Sequence, residues 1–301
     1  MRYWVGVTDN DWFDFLSREQ PDEVNFWQPS GRAPFVNLEP GALFLFKLKS
    51  PHNHIAGGGH FVKFSSLPLS MAWEAFGRKN GAASFEAFAA MIRRLGRNGS
   101  AFDPIVGCTV LAQPFFLRPE EWIDLAGIWS GNVVTGRYYD SDASDGAAIW
   151  NAVHLRDTSI EFVAEPQARY GSPAMVLPRL GQGAFQVLVI DAYQRRCAIT
   201  GESTLPVLEA AHILPFAQDG PHEVGNGMLL RSDFHKLFDR GLVTVTPSLN
   251  VEVSPLIHEQ WFNGRAYYSL HGRRLSNVPT EERDRPDPRF LAWHNENCFQ
   301  G

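Results

Sequence analysis

No apolar run in this chain reaches the roughly 18 to 20 residues that a membrane-spanning helix needs. Nor does one open it: "MRYWVGVTDNDW" lacks the apolar stretch of a secretory signal and already reads as a strand. A cytoplasmic protein is expected. Cysteine is scarce. Cys108, Cys197 and Cys298 lie far apart, which excludes both a disulfide framework and a CxxC pair. Basic charge is not in excess either: 27 Lys and Arg stand against 33 Asp and Glu, a net charge of -6. That argues against a surface coated in positive charge for loose nucleic-acid binding. Short clusters such as Arg93–Arg94–Arg97, Arg195–Arg196 and Arg273–Arg274 could line a local groove, or could be solvated helix faces. Internal repeats and low-complexity tracts are lacking too.

What remains is ordinary globular material: 44% hydrophobic and 20% charged residues over 301 positions, enough for two domains. Residues 1–125 alternate strands and helices. A strand is expected at 3–8 and a helix at 12–19, capped by Asn10 or Asp11. Strands at 42–50 and 59–67 bracket the turn-rich "PHNHIAGGG", whose glycines suit a bulge or a close backbone approach. Helices at 70–81 and 84–96 each start at a serine and end at a glycine. Residues 104–117 form a strand pair or one long bent strand. The pattern is α+β, built round a curved sheet or small barrel. Residues 126–177, with the loop-like "GRYYDSDASDGAAIW", are the domain's edge and a linker. From 178 to 301 the character changes. An amphipathic helix at 182–194 precedes a short knuckle, "CAITGES", and the closing "FLAWHNENCF" is expected to pack back on a domain.

The densest information lies at 207–245, "VLEAAHILPFAQDGPHEVGNGMLLRSDFHKLFDRGLVTV". "VLEAAHILPF" reads as an apolar strand ending at a proline, with His212 at its exposed end. "GPHEVGNGMLL" reads as a loop with Asn226–Gly227 as a turn signal. "LRSDFHKLFDRG" reads as a helix capped by Ser232 and ended by Gly241. His235 and Asp239 are four apart and share one helix face, a spacing common for two ligands of one metal.

The constellation of strand-His, Asn-Gly, helix-His and Asp one turn on, quoted as "EAAHI…NGMLL…DFHKLFDRGL", resembles the HNH nuclease family, also called the ββα-metal fold, over about residues 180–250. The resemblance implies phosphodiester hydrolysis with one divalent metal. By matched position His212 would be the general base, and a His near pKa 6.5 suits proton removal from water at neutral pH. Asn226 would pin the loop and keep His212 oriented. His235 would bind the metal, and Asp239 fits a second ligand. Mg²⁺ or Mn²⁺ suits such a mixed site.

Two departures matter. The family often places a ligand immediately before the catalytic His, where this chain has Ala211. Glu209, two residues further back on the same strand face, could reach the metal directly or through water, or could be only a surface charge. Many HNH proteins also frame the motif with paired CxxC knuckles. Here "CAIT" has Thr200 where a second cysteine would stand, so no structural zinc is expected, and the helix at 182–194 must brace the motif.

The N-terminal pattern, with "FWQPSG", "GALFLFKLKSP", "IAGGGHF" and "LPLSMAWEAFG", resembles the PUA-like superfamily of EVE, YTH and SRA readers. Prokaryotes fuse such domains ahead of HNH modules in modification-dependent restriction endonucleases. A reader of this kind flips a modified base and holds it between aromatic faces, with polar groups on its Watson–Crick edge. Candidates for the aromatic walls are Trp4, Phe26, Trp27 and Trp73, with Trp27 in the polar loop "NFWQPSGR" the foremost; any of them could instead be core. Candidates for edge contacts are Asp9, Asn10, Asn53 and His54. The implied function is a DNA endonuclease cutting near modified bases such as 5-methylcytosine or 5-hydroxymethylcytosine. Its partners would be double-stranded DNA and, since one active site per chain must cut two strands, a second copy. Alternatives are a nicking or low-specificity HNH nuclease that reads unmodified DNA or a backbone mark, and a DNA-binding protein that has lost catalysis.

Overall fold

The computed structural model describes residues 1–95, 101–129, 132–156 and 179–301. The chain divides into two compact units, Met1–Ala184 and Phe185–Gly301. Much of the linker segment expected within 126–177 lies outside the described residues. Among those described, no helix is long and apolar enough to cross a membrane.

The first unit comprises β1 (Arg2–Thr8), α1 (Asn10–Glu19), β2 (Glu23–Gln28), β3 (Leu43–Leu48), β4 (His54–Pro68), α2 (Leu69–Phe76), α3 (Phe85–Leu95), β5 (Ile105–Phe116), β6 (Ile123–Asp124), β7 (Gly136–Asp140) and α4 (Ser144–His154). The seven strands described here make one sheet in the order β2-β5-β4-β3-β1-β7, with β6 paired to β4. Only β1 and β3 run parallel. Among the described residues the end strands β2 and β7 do not pair with each other, so of the curved sheet or small barrel expected, these strands form an open sheet. Both faces are covered. Along β1 and β3, Trp4, Phe44 and Phe46 join one apolar cluster, while Tyr3, Val5, Leu43 and Leu45 join the other. Burial on both faces is why "LFLF" at the start of β3 is a continuous apolar run rather than an alternating one.

The glycines at 57–59 lie inside β4, beside a register shift between Gly58 and His60. A Cβ at Gly57 would strike the Phe115 carbonyl, and one at Gly58 would stand 2.8 Å from the Phe44 carbonyl oxygen. Close backbone approach is therefore what requires them. Residues 105–116 are one strand, not a pair. The cap of α1 is Asp9, whose side chain accepts from the Asp11 N–H at 3.2 Å. Neither Asn10 nor Asp11 caps it.

The second unit carries most of α5 (Gln182–Ala192), then β8 (Leu208–His212), β9 (Gly227–Arg231), α6 (Ser232–Asp239), β10 (Val243–Val245), β11 (Val251–Val253), α7 (Leu256–Trp261), α8 (Arg265–Tyr268) and α9 (Pro288–Asn297). Strands β8 and β9 pair antiparallel and α6 follows at once, which is a ββα unit. The segment "GMLLR" is thus a strand and not the loop expected from sequence. Its Met228, Leu229 and Leu230 are fully buried. Helix α5 is not amphipathic: Phe185, Val187, Val189 and Ile190 are all inaccessible, so it is a central helix of the core. The C-terminal helix α9 packs back on this unit. In α9, Leu291 and His294 are buried, and the His294 ring stacks on Phe238 of α6 at 3.7 Å.

Candidate active site

Strand β8 ends at His212, directly opposite Gly227 of β9. The Asn226–Gly227 pair is not a left-handed turn, since Gly227 is extended, with φ -123°. Space is what requires the glycine. An added Cβ would lie 2.5 Å from Val189 and 3.0 Å from the Phe185 ring. That ring stacks on the imidazole of His212, with centroids 3.9 Å apart and planes 12° apart. Burial against it, and then the neighbouring His222 and His235, hold the His212 pKa down at about 4. The imidazole is therefore neutral at physiological pH, the form that can accept a proton.

Asn226 is fully buried and spends its amide on the loop between the two strands. Its Oδ1 accepts from the Leu214 N–H at 2.8 Å, and its Nδ2 donates to the carbonyls of Leu214 at 2.9 Å and Pro221 at 3.0 Å. Both ends of the loop are thus tied to one side chain.

Helix α6 starts at Ser232 with Arg231 as N-cap, so Ser232 is its first residue and not its cap. It stops at Gly241, whose φ of +65° is a left-handed conformation that suits glycine. His235 lies on its face toward β8, and its two ring nitrogens meet different carboxylates. Nδ1 is 2.6 Å from Glu209 Oε2, and Nε2 is 3.4 Å from Asp239 Oδ2. Burial, offset in part by His235, raises the Asp239 pKa, and the charge of Glu209 pushes the same way. Two carboxylates about one imidazole form the kind of charge cluster a cation relieves.

The donor chemistry of His235 and Asp239, an imidazole and a carboxylate with room for water, fits a hard divalent cation. Among the described residues no three His, Cys, Asp or Glu side chains form a preassembled metal-holding group. The pair that could share a cation is His235 Nε2 and Asp239. Their 3.4 Å separation suits two ligands bonded at about 2.1 Å each, with water in the other positions. Glu209, expected as a possible ligand, lies against the far nitrogen of His235.

Cys197 of the knuckle is buried, and its Sγ accepts from the backbone N–H groups of Thr200 at 3.5 Å and Arg231 at 3.3 Å. Two contributors lie outside the motif as read from sequence. Phe185 is hidden in the run of α5. His222 lies in "GPHEVGN" between His212 and Asn226, and its Nδ1 is 3.1 Å from His212 Nε2.

Residues 197–246 match the family HNH_2, described as HNH endonuclease. They form an HNH endonuclease domain, and the protein is a nuclease. HNH nucleases are generally dependent on a divalent metal. No curated protein matches the chain. Solved structures of two point mutants of the ASCH protein of Zymomonas mobilis are similar to half of the chain. They share 9% and 8% identity, cover 50% of this chain and 97% and 95% of their own, and give a TM-score of 0.35 each. The modification-dependent restriction endonuclease TagI is similar over 93% of this chain and 76% of its own, at 14% identity and a TM-score of 0.29.

In the first unit the candidate aromatics divide. Trp4 and Phe26 are buried in one core cluster with Trp12, Phe44 and Phe46. Trp27 is not in a loop. It belongs to β2, pairs with Cys108 and donates its indole N–H to the Asn80 carbonyl at 2.9 Å. It and Trp73 both rest on Phe88. The polar candidates, by contrast, gather around the β3–β4 connection. Asp9 accepts from Lys49 Nζ at 2.9 Å, and Asn10 accepts from the Lys49 N–H at 2.9 Å. His54 bonds the His52 carbonyl and tilts against Trp122. Asn53 accepts from Lys47 Nζ at 2.8 Å. Lys47 is itself buried, which lowers its pKa.

Proposed function

We propose that this chain is a divalent-metal-dependent DNA endonuclease of the restriction type that cuts near modified bases such as 5-methylcytosine or 5-hydroxymethylcytosine. The observation that carries the hydrolytic part is the placement of His212, neutral and at a strand end, beside a helix-borne His235 set between Glu209 and Asp239.

In this reading His212 takes the proton from the attacking water. Phe185 keeps the ring in plane, and Asn226 keeps the loop behind it from moving. His235 and Asp239 hold the cation, which when bound neutralises charge on the scissile phosphate. Glu209 accepts the Nδ1–H of His235, so that Nε2 turns its lone pair toward Asp239. A carboxylate behind a metal-binding imidazole commonly fixes its tautomer in this way.

The modified-base part rests on the first unit, much larger than an HNH module requires. We assign it the reading of DNA in the manner of PUA-like readers, with the β3–β4 connection, where Asp9 and Asn10 meet Lys49, Asn53 meets Lys47 and His54 meets Trp122, as the surface toward the base. A homodimer would supply one active site for each strand.

The test is one plasmid prepared with cytosine, 5-methylcytosine or 5-hydroxymethylcytosine and incubated with the protein and Mg²⁺ or Mn²⁺. Cleavage of the modified forms alone is expected. Equal cleavage of all three removes the reader assignment and leaves a low-specificity nuclease. No cleavage of any substrate contradicts the whole proposal.

A further inference from the structure

We infer that His222 is a positioning residue that fixes the tautomer of His212. This rests on the reading of His212 as the general base. A neutral imidazole can act as a base through one nitrogen only, and the other nitrogen must carry the proton. Which nitrogen is which is set by the partner of the second one. Here that partner is His222, with His212 Nε2 and His222 Nδ1 3.1 Å apart.

The two possible arrangements have opposite consequences. If His222 Nδ1 donates, the lone pair of His212 Nε2 is used up and Nδ1 carries the ring proton, so His212 has no free lone pair. If His222 Nδ1 accepts, His212 holds its proton at Nε2 and Nδ1 is free to take a proton from water. The second arrangement is the one compatible with catalysis, and we assign it.

The surroundings hold His222 in place for this task. Its ring lies flat on Phe216, with centroids 4.5 Å apart and planes 7° apart. Its neighbour Pro221 is bonded through the carbonyl to Asn226, the side chain that also fixes Leu214, two residues beyond His212. Gly220 crosses so close to the Leu214 carbonyl that a Cβ has no room there. Asn226 therefore sets the position of both histidines, not of His212 alone. His222 lies in none of the three motif positions, and the mechanism above does not use it.

The experiment compares the full-length wild type with His222→Leu, His222→Asn and His212→Ala. Leucine has similar bulk and no nitrogen, whereas the asparagine amide places a polar atom near the site of Nδ1. Single-turnover cleavage and DNA affinity are measured at saturating Mg²⁺, and the His212 ring tautomer is read from ¹⁵N imidazole shifts in the metal-free protein. His222→Leu should cut about 10- to 100-fold more slowly, the usual loss for a partner that orients a working imidazole. Its DNA affinity should stay within about twofold, because binding does not use the tautomer. His222→Asn should recover most of the rate. The ¹⁵N spectrum should show Nε2–H in the wild type and a tautomer mixture in His222→Leu. A wild-type rate or an unchanged tautomer in His222→Leu, or an asparagine variant as slow as the leucine one, overturns the inference. Cleavage by His212→Ala at the wild-type rate overturns the underlying reading instead, and the ¹⁵N result then still decides whether His222 fixes the ring.

Discussion

Glu209 Oε2 and His235 Nδ1 stand 2.6 Å apart, joining the first strand of the ββα unit to its helix. Sequence left Glu209 as either a ligand or a bystander. In the proposed site this contact orients His235. Replacing Glu209 with Ala should raise the Mg²⁺ concentration for half-maximal cleavage by about 10- to 100-fold. Glu209→Gln keeps an acceptor oxygen and should lose less. An unchanged metal titration in both variants would remove Glu209 from the site.

Asn226→Ala deletes three hydrogen bonds at a fully buried position and leaves their backbone partners unsatisfied. A loss of about 1–3 kcal/mol is expected in the urea unfolding of the second unit, together with loss of cleavage. A variant of wild-type stability would mean that water replaces the amide and that the loop does not depend on it.

Gly227→Ala probes packing rather than backbone freedom, since φ is extended there. The new methyl meets Val189 and Phe185, and overpacking of this kind costs about 1–3 kcal/mol. The displaced Phe185 should also slow cleavage by loosening its stack on His212. Unaltered stability and rate would show that α5 yields freely.

Acid should destabilise the second unit through His294. The ring is 2% exposed, bonds Thr244 and the Phe238 carbonyl, and burial lowers its pKa to about 4. Between that value and 6.5 the unfolded chain binds the proton that the folded one refuses. Stability from this group is thus complete above about pH 6.5 and lost as pH falls toward 4, on the order of 3 kcal/mol. His294→Gln should flatten the slope of stability against pH in that window. An equally steep slope in the variant would locate the acid sensitivity elsewhere.

Much of the site is legible in sequence because its members stand at spacings that secondary structure imposes. His235 and Asp239 are one helical turn apart, and Asn226–Gly227 directly precedes an apolar run. His222 and Phe185 are not legible. A lone histidine in a Pro- and Gly-bounded loop carries no periodicity, and it meets His212 only because Asn226 draws Pro221 back to Leu214. Phe185 is one apolar residue among many in α5. In the first unit the α+β alternation is legible and the sheet order is not, because pairing of β2 with β5 is a long-range choice. Trp27 shows the same limit: the turn signals after Gln28 made its segment resemble a loop, whereas the ladder with β5 makes it a strand.

In the proposed function His212 acts on water in a metal-dependent phosphodiester hydrolysis. The most direct measurement is single-turnover cleavage of labelled duplex DNA by wild type and His212→Ala, at saturating Mg²⁺ from pH 5 to 8. A fall of about 10²–10⁴ in rate is expected for the variant, with DNA binding retained. The wild-type profile should show no acid limb near 6.5, because His212 is already neutral well below that value. Wild-type rates in His212→Ala would contradict that role.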